Sequence, residues 1–230
     1  MDTATRRARR RELWRARAEK VRDAFGLVFL LVILTYVLAS LLDNRGWGSV
    51  VITAASGATS VIALTSSHVK PRFVHIAIWS SGLTIVLASI GAASGAHLWL
   101  NFASLIQILL LTVAMAAVLR RVVNSDNVSS RTILGAISVY VLLGILFTYV
   151  YLAVDKLQPG HFFGQPTHTG DFIFFSVTTL STTGYGNLVP AGQPGKMLSG
   201  LEMLVGQIFL VTLIAGLVSL WRPGLLSRRP

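Results

Sequence analysis

The stretch Thr182-Thr183-Gly184-Tyr185-Gly186-Asn187 decides how the rest of this chain is interpreted. A strand of small and glycine residues with one tyrosine lets successive backbone carbonyls point the same way. Glycine is needed because some of the φ values that turn carbonyls to one side are penalised for residues with a Cβ atom. A match this short is weak by itself, so its meaning depends on the surrounding segments.

The composition indicates a membrane protein. Of the 230 residues, 53% are apolar and only 13% are charged, far more apolar than a usual soluble domain. Each of six long runs carries almost no charge and is close to the ~20 residues that a helix needs to cross a bilayer. Because spanning segments must satisfy their own backbone hydrogen bonds, we expect an all-α integral membrane protein with six transmembrane helices. The runs are Ala24–Leu42, Val50–Thr65 (expected to extend to Trp47 and Ser67), Phe73–Ala93, Leu98–Leu119, Ile133–Val154 and Met197–Trp221.

The basic residues predict the orientation of these spans. Seventeen of the 20 Lys and Arg fall on one side of the predicted topology, and Arg45, Lys156 and Lys196 fall on the other. The positive-inside rule then places both termini in the cytoplasm of a multi-pass plasma-membrane protein. It also places residues 182–187, between the fifth and sixth spans, on the extracellular side.

The formal charge of +11 therefore has a membrane explanation, and nucleic acid is not an expected partner. Residues 1–23 are a basic cytoplasmic segment, in which Arg6–Arg22 is expected to lie on anionic lipid headgroups as an amphipathic helix. A signal peptide is the competing interpretation, but the apolar run that follows is 19 residues long and favours an uncleaved span. The absence of cysteine excludes a disulfide framework.

A short apolar segment lies within the connection of about forty residues between the last two spans. Asp171–Leu180 is apolar enough to enter the bilayer but too short to cross it, so we predict a re-entrant helix. Gly170-Asp171 is a suitable start, since an acidic residue favours the positive end of a helix dipole. A Gly/Pro turn containing Gly192, Pro194 and Gly195 is expected to return the chain to the surface.

This order of helix, glycine-rich strand, turn and helix resembles the pore of the tetrameric potassium channel family. The matching residues lie within 132–221: Phe174-Phe175-Ser176, Thr179, Ser181-Thr182 and Gly184-Tyr185-Gly186-Asn187. The resemblance implies a homotetramer in which four filter strands meet on one axis. Backbone carbonyls of Thr182, Thr183, Gly184 and Tyr185, with the Thr182 hydroxyl, would replace the hydration shell of K⁺, and Gly186 would turn the strand away at the mouth. K⁺ is the expected ligand, with no other cofactor and no enzymatic activity.

The filter departs from the family pattern at several positions. Asn187 stands where aspartate is usual, Thr183 where valine is usual, and Phe174-Phe175 where tryptophans often hydrogen-bond that aspartate. The hypothesis is that the hydroxyls of Thr178, Thr179 and Thr183 hold this filter, which would then be less rigid or less selective.

Glu202 is the only acidic residue within the six runs, and an ionisable residue inside a membrane is a functional candidate. Its position suggests that it supports the filter from behind, with Thr178 or Thr179 as partner. The alternative is a protonated glutamate that hydrogen-bonds between helices.

Gly206 lies midway along the sixth span, where the family often bends its inner helix to open a gate. A glycine there costs about 1 kcal/mol relative to alanine, so hinge bending or close helix packing must explain it. Residues at helical spacing from this point are expected to line a cavity, and the last two to form its cytoplasmic narrowing: Gln207, Leu210, Ile214 and Val218.

The first four spans, residues 24–119, are predicted to form a helical scaffold, joined by a linker over 120–131 to the pore domain over 132–221 and a tail over 222–230. Dense small residues, as in Ala54–Ala58, suit close packing. Voltage sensing needs several cations within the field, each worth ~2.3 kcal/mol per 100 mV, and Leu98–Leu119 has none. Strong voltage gating is therefore predicted to be absent.

Passive, potassium-selective conduction is the predicted function. Three alternatives stay open: a weakly selective cation channel, a non-conducting regulatory subunit of a mixed channel, and a cation transporter. The last is disfavoured because the known kind has four such loops in one chain and this chain has one.

Overall fold

A computed structural model describes residues 25–42, 46–67, 69–95, 97–124 and 130–220, with the backbone alone at 97, 98, 130, 131 and 217–220. Within these ranges the chain forms seven helices and no β-strand. The basic segment over 1–23 and the tail over 222–230 lie outside the described residues. The helices are α1 (Phe25–Leu41), α2 (Trp47–Ser66), α3 (Pro71–Ser94), α4 (His97–Val123), α5 (Ser130–Leu157), α6 (Thr169–Leu180) and α7 (Gln193–Leu220).

Five of these helices contain segments long and apolar enough to cross a membrane: Trp47–Ser66, Pro71–Ser94, Trp99–Val123, Thr132–Leu157 and Gln193–Gly216. They confirm the predicted class, an all-helical multi-pass membrane protein. The first predicted span corresponds to α1, which is apolar but has only 17 residues in the described range. At about 1.5 Å per residue, α1 is about 26 Å long, slightly less than the ~30 Å of a hydrocarbon core.

Helices α1 to α4 pack together through small and hydroxylated side chains. Thr35 of α1 and Thr59 of α2 share a buried hydrogen bond of 2.9 Å. Gly57 lies so close to α3 that an added Cβ atom would be 3.1 Å from the Cβ atom of Ser81. Small residues thus allow neighbouring helices to approach closely, as their density in the sequence indicates.

The last three helices pack on one side of this scaffold. α5 contacts α1, α4, α6 and α7, and α6 fits between α1, α5 and α7. Among the described helices, α7 contacts only α5 and α6. The predicted linker over 120–131 is partly helical, because α4 continues to Val123 and α5 starts at Ser130.

The short helix α6 begins one to two residues before the predicted start. His168 is its N-cap residue, and the Asp171 carboxylate accepts a hydrogen bond of 2.9 Å from the His168 backbone N–H, which forms a capping box. The first turn lies against α1, since a Cβ atom on Gly170 would be 2.9 Å from the Ser40 carbonyl oxygen. The scaffold therefore touches the beginning of α6 directly.

The predicted turn before the last span is shorter than expected. α7 starts at Gln193, four residues before Met197, and includes Pro194 and Gly195 in its first turn. Proline is tolerated there because the N–H groups of a first helical turn have no intrahelical partner. Of the predicted turn residues, only Gly192 lies outside the helix.

Candidate functional site

The backbone after α6 alternates in the sign of φ. Thr182, Gly184 and Gly186 have φ values of 56°, 54° and 78°, whereas Thr183 and Tyr185 do not have positive φ. In an ordinary strand, successive carbonyls point to opposite sides. Alternation of left-handed and right-handed residues brings successive N–H groups to one side, and the carbonyls then face the other. The predicted filter strand is an irregular segment and not a β-strand, and residues 181–187 are all exposed in the single chain.

Thr182 holds an unusual conformation for a β-branched residue. A left-handed φ at a non-glycine residue costs on the order of 1–3 kcal/mol and persists only when neighbouring contacts enforce it. The backbone N–H of Thr182 donates to the Thr179 carbonyl at 3.0 Å, and its hydroxyl donates to the Ser181 carbonyl at 2.7 Å. The Gln207 side-chain amide of α7 donates to the same hydroxyl oxygen at 3.2 Å.

The end of α6 holds the segment through main-chain carbonyls. The Thr178 carbonyl accepts the N–H groups of Thr183 at 2.8 Å and Gly184 at 3.2 Å. The Thr178 hydroxyl instead donates to the Phe175 carbonyl of its own helix, at 3.0 Å. The expected supporting network thus involves Thr178 and Thr179 through their carbonyls rather than their hydroxyls. Of the three threonines expected to hold the filter, only Thr183 uses its hydroxyl within the segment, in a hydrogen bond of 2.8 Å with the Ser181 hydroxyl.

The aromatic side chain of the segment packs back on α6. Tyr185 stacks on Phe174 with ring centroids 5.6 Å apart and an interplanar angle of 20°. This contact packs the Tyr185 ring against the short helix, with Phe174 taking part by stacking. Asn187 is exposed in the single chain.

Glu202 is completely buried behind the segment. Its two carboxyl oxygens each form a hydrogen bond of 2.5 Å with a hydroxyl of a different helix, one with Ser176 of α6 and one with Tyr151 of α5. The Ser176 hydroxyl also lies 2.8 Å from the Gly144 carbonyl oxygen, and its single hydrogen cannot serve both acceptors, which fits the protonated glutamate of the alternative interpretation. The proposed partners Thr178 and Thr179 are incorrect, because Ser176 is the hydroxyl on the buried face of α6 that meets Glu202.

The tyrosines of α5 are not among the residues that the sequence predicts for the site. The hydroxyl of Tyr140 donates to the Leu180 carbonyl at 3.1 Å, and that of Tyr149 bonds Ser56 at 3.2 Å. With Tyr151, three tyrosines in one apolar span each find a hydrogen-bond partner. A tyrosine within an apolar span is a sequence signal for such a contact, since a buried tyrosine hydroxyl usually has a hydrogen-bond partner.

Gly206 provides a close approach between α7 and α6. An added Cβ atom would lie 2.6 Å from the Leu180 carbonyl oxygen and 2.8 Å from the Leu180 side chain. Helix α7 continues through this position without a break. Close packing therefore explains the glycine in this structure, and the hinge stays a prediction.

The predicted cavity-lining residues lie along the exposed part of α7. Gln207 and Ile214 are exposed in the single chain and Leu210 is half-buried. The Val218 backbone belongs to α7, and its side chain lies outside the described ones. Their role as lining and narrowing stays a prediction.

Helix α4 carries no charge between Trp99 and Leu119, and its mean hydropathy of 2.4 is the highest of the five long apolar helices. Its arginines lie in its last turn, where the Arg121 guanidinium stands 5.3 Å from the centre of the Phe25 ring. The uncharged fourth span is therefore present as expected.

A family model and several known proteins are similar to part of this chain. The family model described as ion channel matches residues 107–222. A two pore potassium channel from Oryza sativa is 37% identical over 86 residues, which are 34% of this chain and 19% of that protein. The inward rectifier potassium channel Kirbac3.1 from Paramagnetospirillum magnetotacticum is 37% identical over 75 residues, 31% of this chain and 23% of that protein.

A cyclic nucleotide-gated potassium channel from Rhizobium etli is 37% identical over 92 residues, 39% of this chain and 24% of that protein. The matches thus span a quarter or less of each of these relatives. No solved structure matches at the same level of significance.

The family match covers half of the chain, and it includes α5, α6, the alternating segment and α7. The chain therefore belongs to this family of ion channels, a class that is not enzymatic. The resemblance to potassium channels that the motif indicates is confirmed.

Proposed function

We propose that this protein is a potassium-selective channel, a homotetramer that conducts K⁺ passively through a filter formed by residues 182–186. The observation that carries the proposal is the alternating sign of φ at Thr182, Gly184 and Gly186. Four such segments around an axis would present rings of carbonyl oxygens at the distance that replaces the water shell of K⁺. The K⁺ ligands would be the carbonyls of Thr182, Thr183, Gly184 and Tyr185 and the Thr182 hydroxyl.

The exposure of the segment supports the tetramer. Irregular backbone at membrane depth is stable only when protein buries it or when it lines water, and one chain leaves all of 181–187 exposed. Beside it lies a cavity of about 350 Å³ whose lining includes Tyr185 and Met203. Further along α7, Leu204, Ile208 and Val211 are each more than 60% exposed. Three further copies would cover these surfaces.

For the membrane arrangement we propose six spans per subunit, with α1 as the first, α6 as a re-entrant helix and both termini in the cytoplasm of the plasma membrane. The distribution of Lys and Arg supports this orientation. The C-terminal end of α6 then directs its partial negative charge towards the ion path, as suits a cation.

Glu202 would act as the rear support of the filter. Through Ser176 and Tyr151 it joins α5, α6 and α7 behind the residues that carry the carbonyl ligands. Removing one partner of a buried polar group leaves the other unsatisfied, so this support is expected to be sensitive to single substitutions.

A weakly selective cation channel is the second candidate, and the exposed Asn187 favours it. The neutral side chain leaves the mouth of the filter without the carboxylate that the family pattern usually has there. The ratio of K⁺ to Na⁺ permeability separates the two candidates.

The test is conduction by the full chain purified alone and reconstituted in lipid bilayers. We expect K⁺ and Rb⁺ currents and a particle of four subunits. With K⁺ on one side of the bilayer and Na⁺ on the other, we expect a reversal potential that corresponds to a K⁺ permeability far above that of Na⁺. Equal permeability to Na⁺ would replace the first candidate by the second. A silent bilayer with correctly folded protein would contradict both candidates and favour a non-conducting subunit.

A filter variant and a matched control complete the experiment. Gly184→Ala places a Cβ atom at a φ of 54° and is expected to abolish or strongly reduce current. Gly82→Ala, on α3, meets no atom within 4 Å and is expected to leave current unchanged.

A further inference from the structure

The side chain of Gln207 reaches the inner end of the alternating segment. Its amide nitrogen lies 3.2 Å from the hydroxyl oxygen of Thr182, and this is a contact between α7 and the segment itself. The preceding residue, Gly206, fixes the approach, because its position against the Leu180 carbonyl leaves no room for a Cβ atom. The Leu180 carbonyl is held in turn by the Tyr140 hydroxyl. The backbone that carries Gln207 is therefore tightly placed.

The hydrogen atom of the Thr182 hydroxyl is already committed, because the group donates to the Ser181 carbonyl at 2.7 Å. A hydroxyl has one donor and two acceptor lone pairs. One lone pair accepts the amide N–H of Gln207, which leaves one for any other ligand. The orientation of the hydroxyl does not depend on Gln207, since the bond to Ser181 fixes it.

We propose that Gln207 tunes the affinity of the innermost ion site, the one formed by the Thr182 hydroxyl and carbonyl, and weakens cation binding there. This inference rests on the proposed function and assigns Gln207 a role beyond lining the cavity. The amide N–H withdraws one lone pair of the Thr182 oxygen from the cation. It also places the positive end of an N–H dipole beside that cation. Both effects favour release of the ion from the site.

The inference predicts that removing the donor tightens the site. Gln207→Met keeps the length of the side chain but cannot donate. Ba²⁺ is a suitable probe because its radius is close to that of K⁺ and its charge is double, so it occupies a K⁺ site and leaves slowly. Since a neutral hydrogen bond contributes on the order of 1 kcal/mol, Gln207→Met is expected to lower the Ba²⁺ concentration for half-block by roughly threefold to tenfold.

A second variant and a matched control make the result specific. Gln207→Glu replaces the donor by a carboxylate of the same shape and is expected to tighten Ba²⁺ binding more than Gln207→Met does. Val211→Met adds the same side chain one helical turn away and is expected to leave the half-block concentration unchanged. Calorimetric titration of the purified proteins with Ba²⁺ gives the same order of affinities without requiring conduction.

The outcomes separate this inference from the proposed function. If the unmodified protein conducts K⁺ and Gln207→Met binds Ba²⁺ as tightly as before or more weakly, the role of Gln207 is wrong while the channel stands. If the unmodified protein neither conducts nor binds K⁺ or Ba²⁺, the proposed function fails and this inference fails with it. Equal tightening by Val211→Met would also overturn the inference, because the effect would then not depend on Thr182.

Discussion

At the scale of single residues, Tyr151 and Tyr149 of α5 offer a direct comparison. Tyr151 donates to the buried carboxyl group of Glu202 at 2.5 Å, whereas Tyr149 bonds the hydroxyl of Ser56 at 3.2 Å. Both rings are buried, so replacing either by phenylalanine removes one oxygen from a packed site. The two substitutions differ mainly in what they leave unsatisfied.

We expect Tyr151→Phe to destabilise the protein by about 1–3 kcal/mol, because it leaves a buried oxygen of Glu202 unsatisfied, and Tyr149→Phe by about 1 kcal/mol or less. The measurement is the thermal unfolding midpoint of the two purified variants in the same detergent. Ser176→Ala combined with Tyr151→Phe should deviate from additivity, because both hydroxyls share Glu202. Equal losses for the two tyrosines would contradict the special role of the Glu202 carboxyl group.

Gly206 and Gly200 provide a second comparison on one helix. An alanine at 206 would contact the Leu180 carbonyl at 2.6 Å, whereas an alanine at 200 would meet no atom within 4 Å. Gly206→Ala is expected to lower stability by about 1–3 kcal/mol, as overpacking does, and Gly200→Ala to raise it by up to about 1 kcal/mol. Thermal unfolding checks both. A stable Gly206→Ala protein with altered opening would instead favour the hinge.

At the scale of elements, the composition of α4 predicts the response to voltage. Its central part has no cation to move in the field, and its two arginines lie in the last turn. We therefore expect open probability to change only weakly between −100 and +100 mV, since each missing charge removes ~2.3 kcal/mol of coupling per 100 mV. Arg120→Gln and Arg121→Gln should leave the slope of the conductance–voltage curve unchanged. A steep curve that either substitution flattens would refute this expectation.

The sequence predicted the elements better than the contacts between them. Hydropathy located the long apolar helices, and the acidic start of Asp171–Leu180 located α6, because both signals are local. The partners of Glu202 could not be predicted in this way. Whether Ser176 or Thr179 faces Glu202 depends on how α6 and α7 are rotated and at which angle they cross. No short stretch of sequence specifies this rotation or this angle, because both depend on the packing of the whole protein. The start of α7 differs from the prediction because Pro194, which favours a turn, also fits the first turn of a helix.

At the scale of the whole molecule, two apolar helix surfaces have the same exposure and different expected neighbours. Leu204 on α7 is 62% exposed and Ile76 on α3 is 61% exposed in the single chain. The proposed tetramer places α7 against other subunits, and α3, which does not touch α7 among the described helices, against lipid. Shortening a side chain to alanine should therefore affect the stability of the tetramer on the α7 surface but not on the α3 surface.

We expect native mass measurement to show four copies of the 24.8 kDa chain. Leu204→Ala should reduce the fraction of tetramer that survives mild heating, because it removes packing between subunits. Ile76→Ala should not, since lipid fills the space that the shorter side chain leaves. Dissociation by both substitutions to the same degree, or by Ile76→Ala alone, would show that the subunit surface has been misplaced.

The three contacts that α7 makes with α6 and the alternating segment have a consequence for engineering. Glu202 meets Ser176, Gly206 meets Leu180 and Gln207 meets Thr182, all within two turns of one helix. Consider a chimaera in which residues 169–187 come from a related channel and α7 stays native. In each of the three pairs, one residue would then come from the related channel and its partner from this protein. Residues 169–207 contain the whole of α6 and move all three pairs together, and they are the unit to transplant when this pore is grafted onto another scaffold.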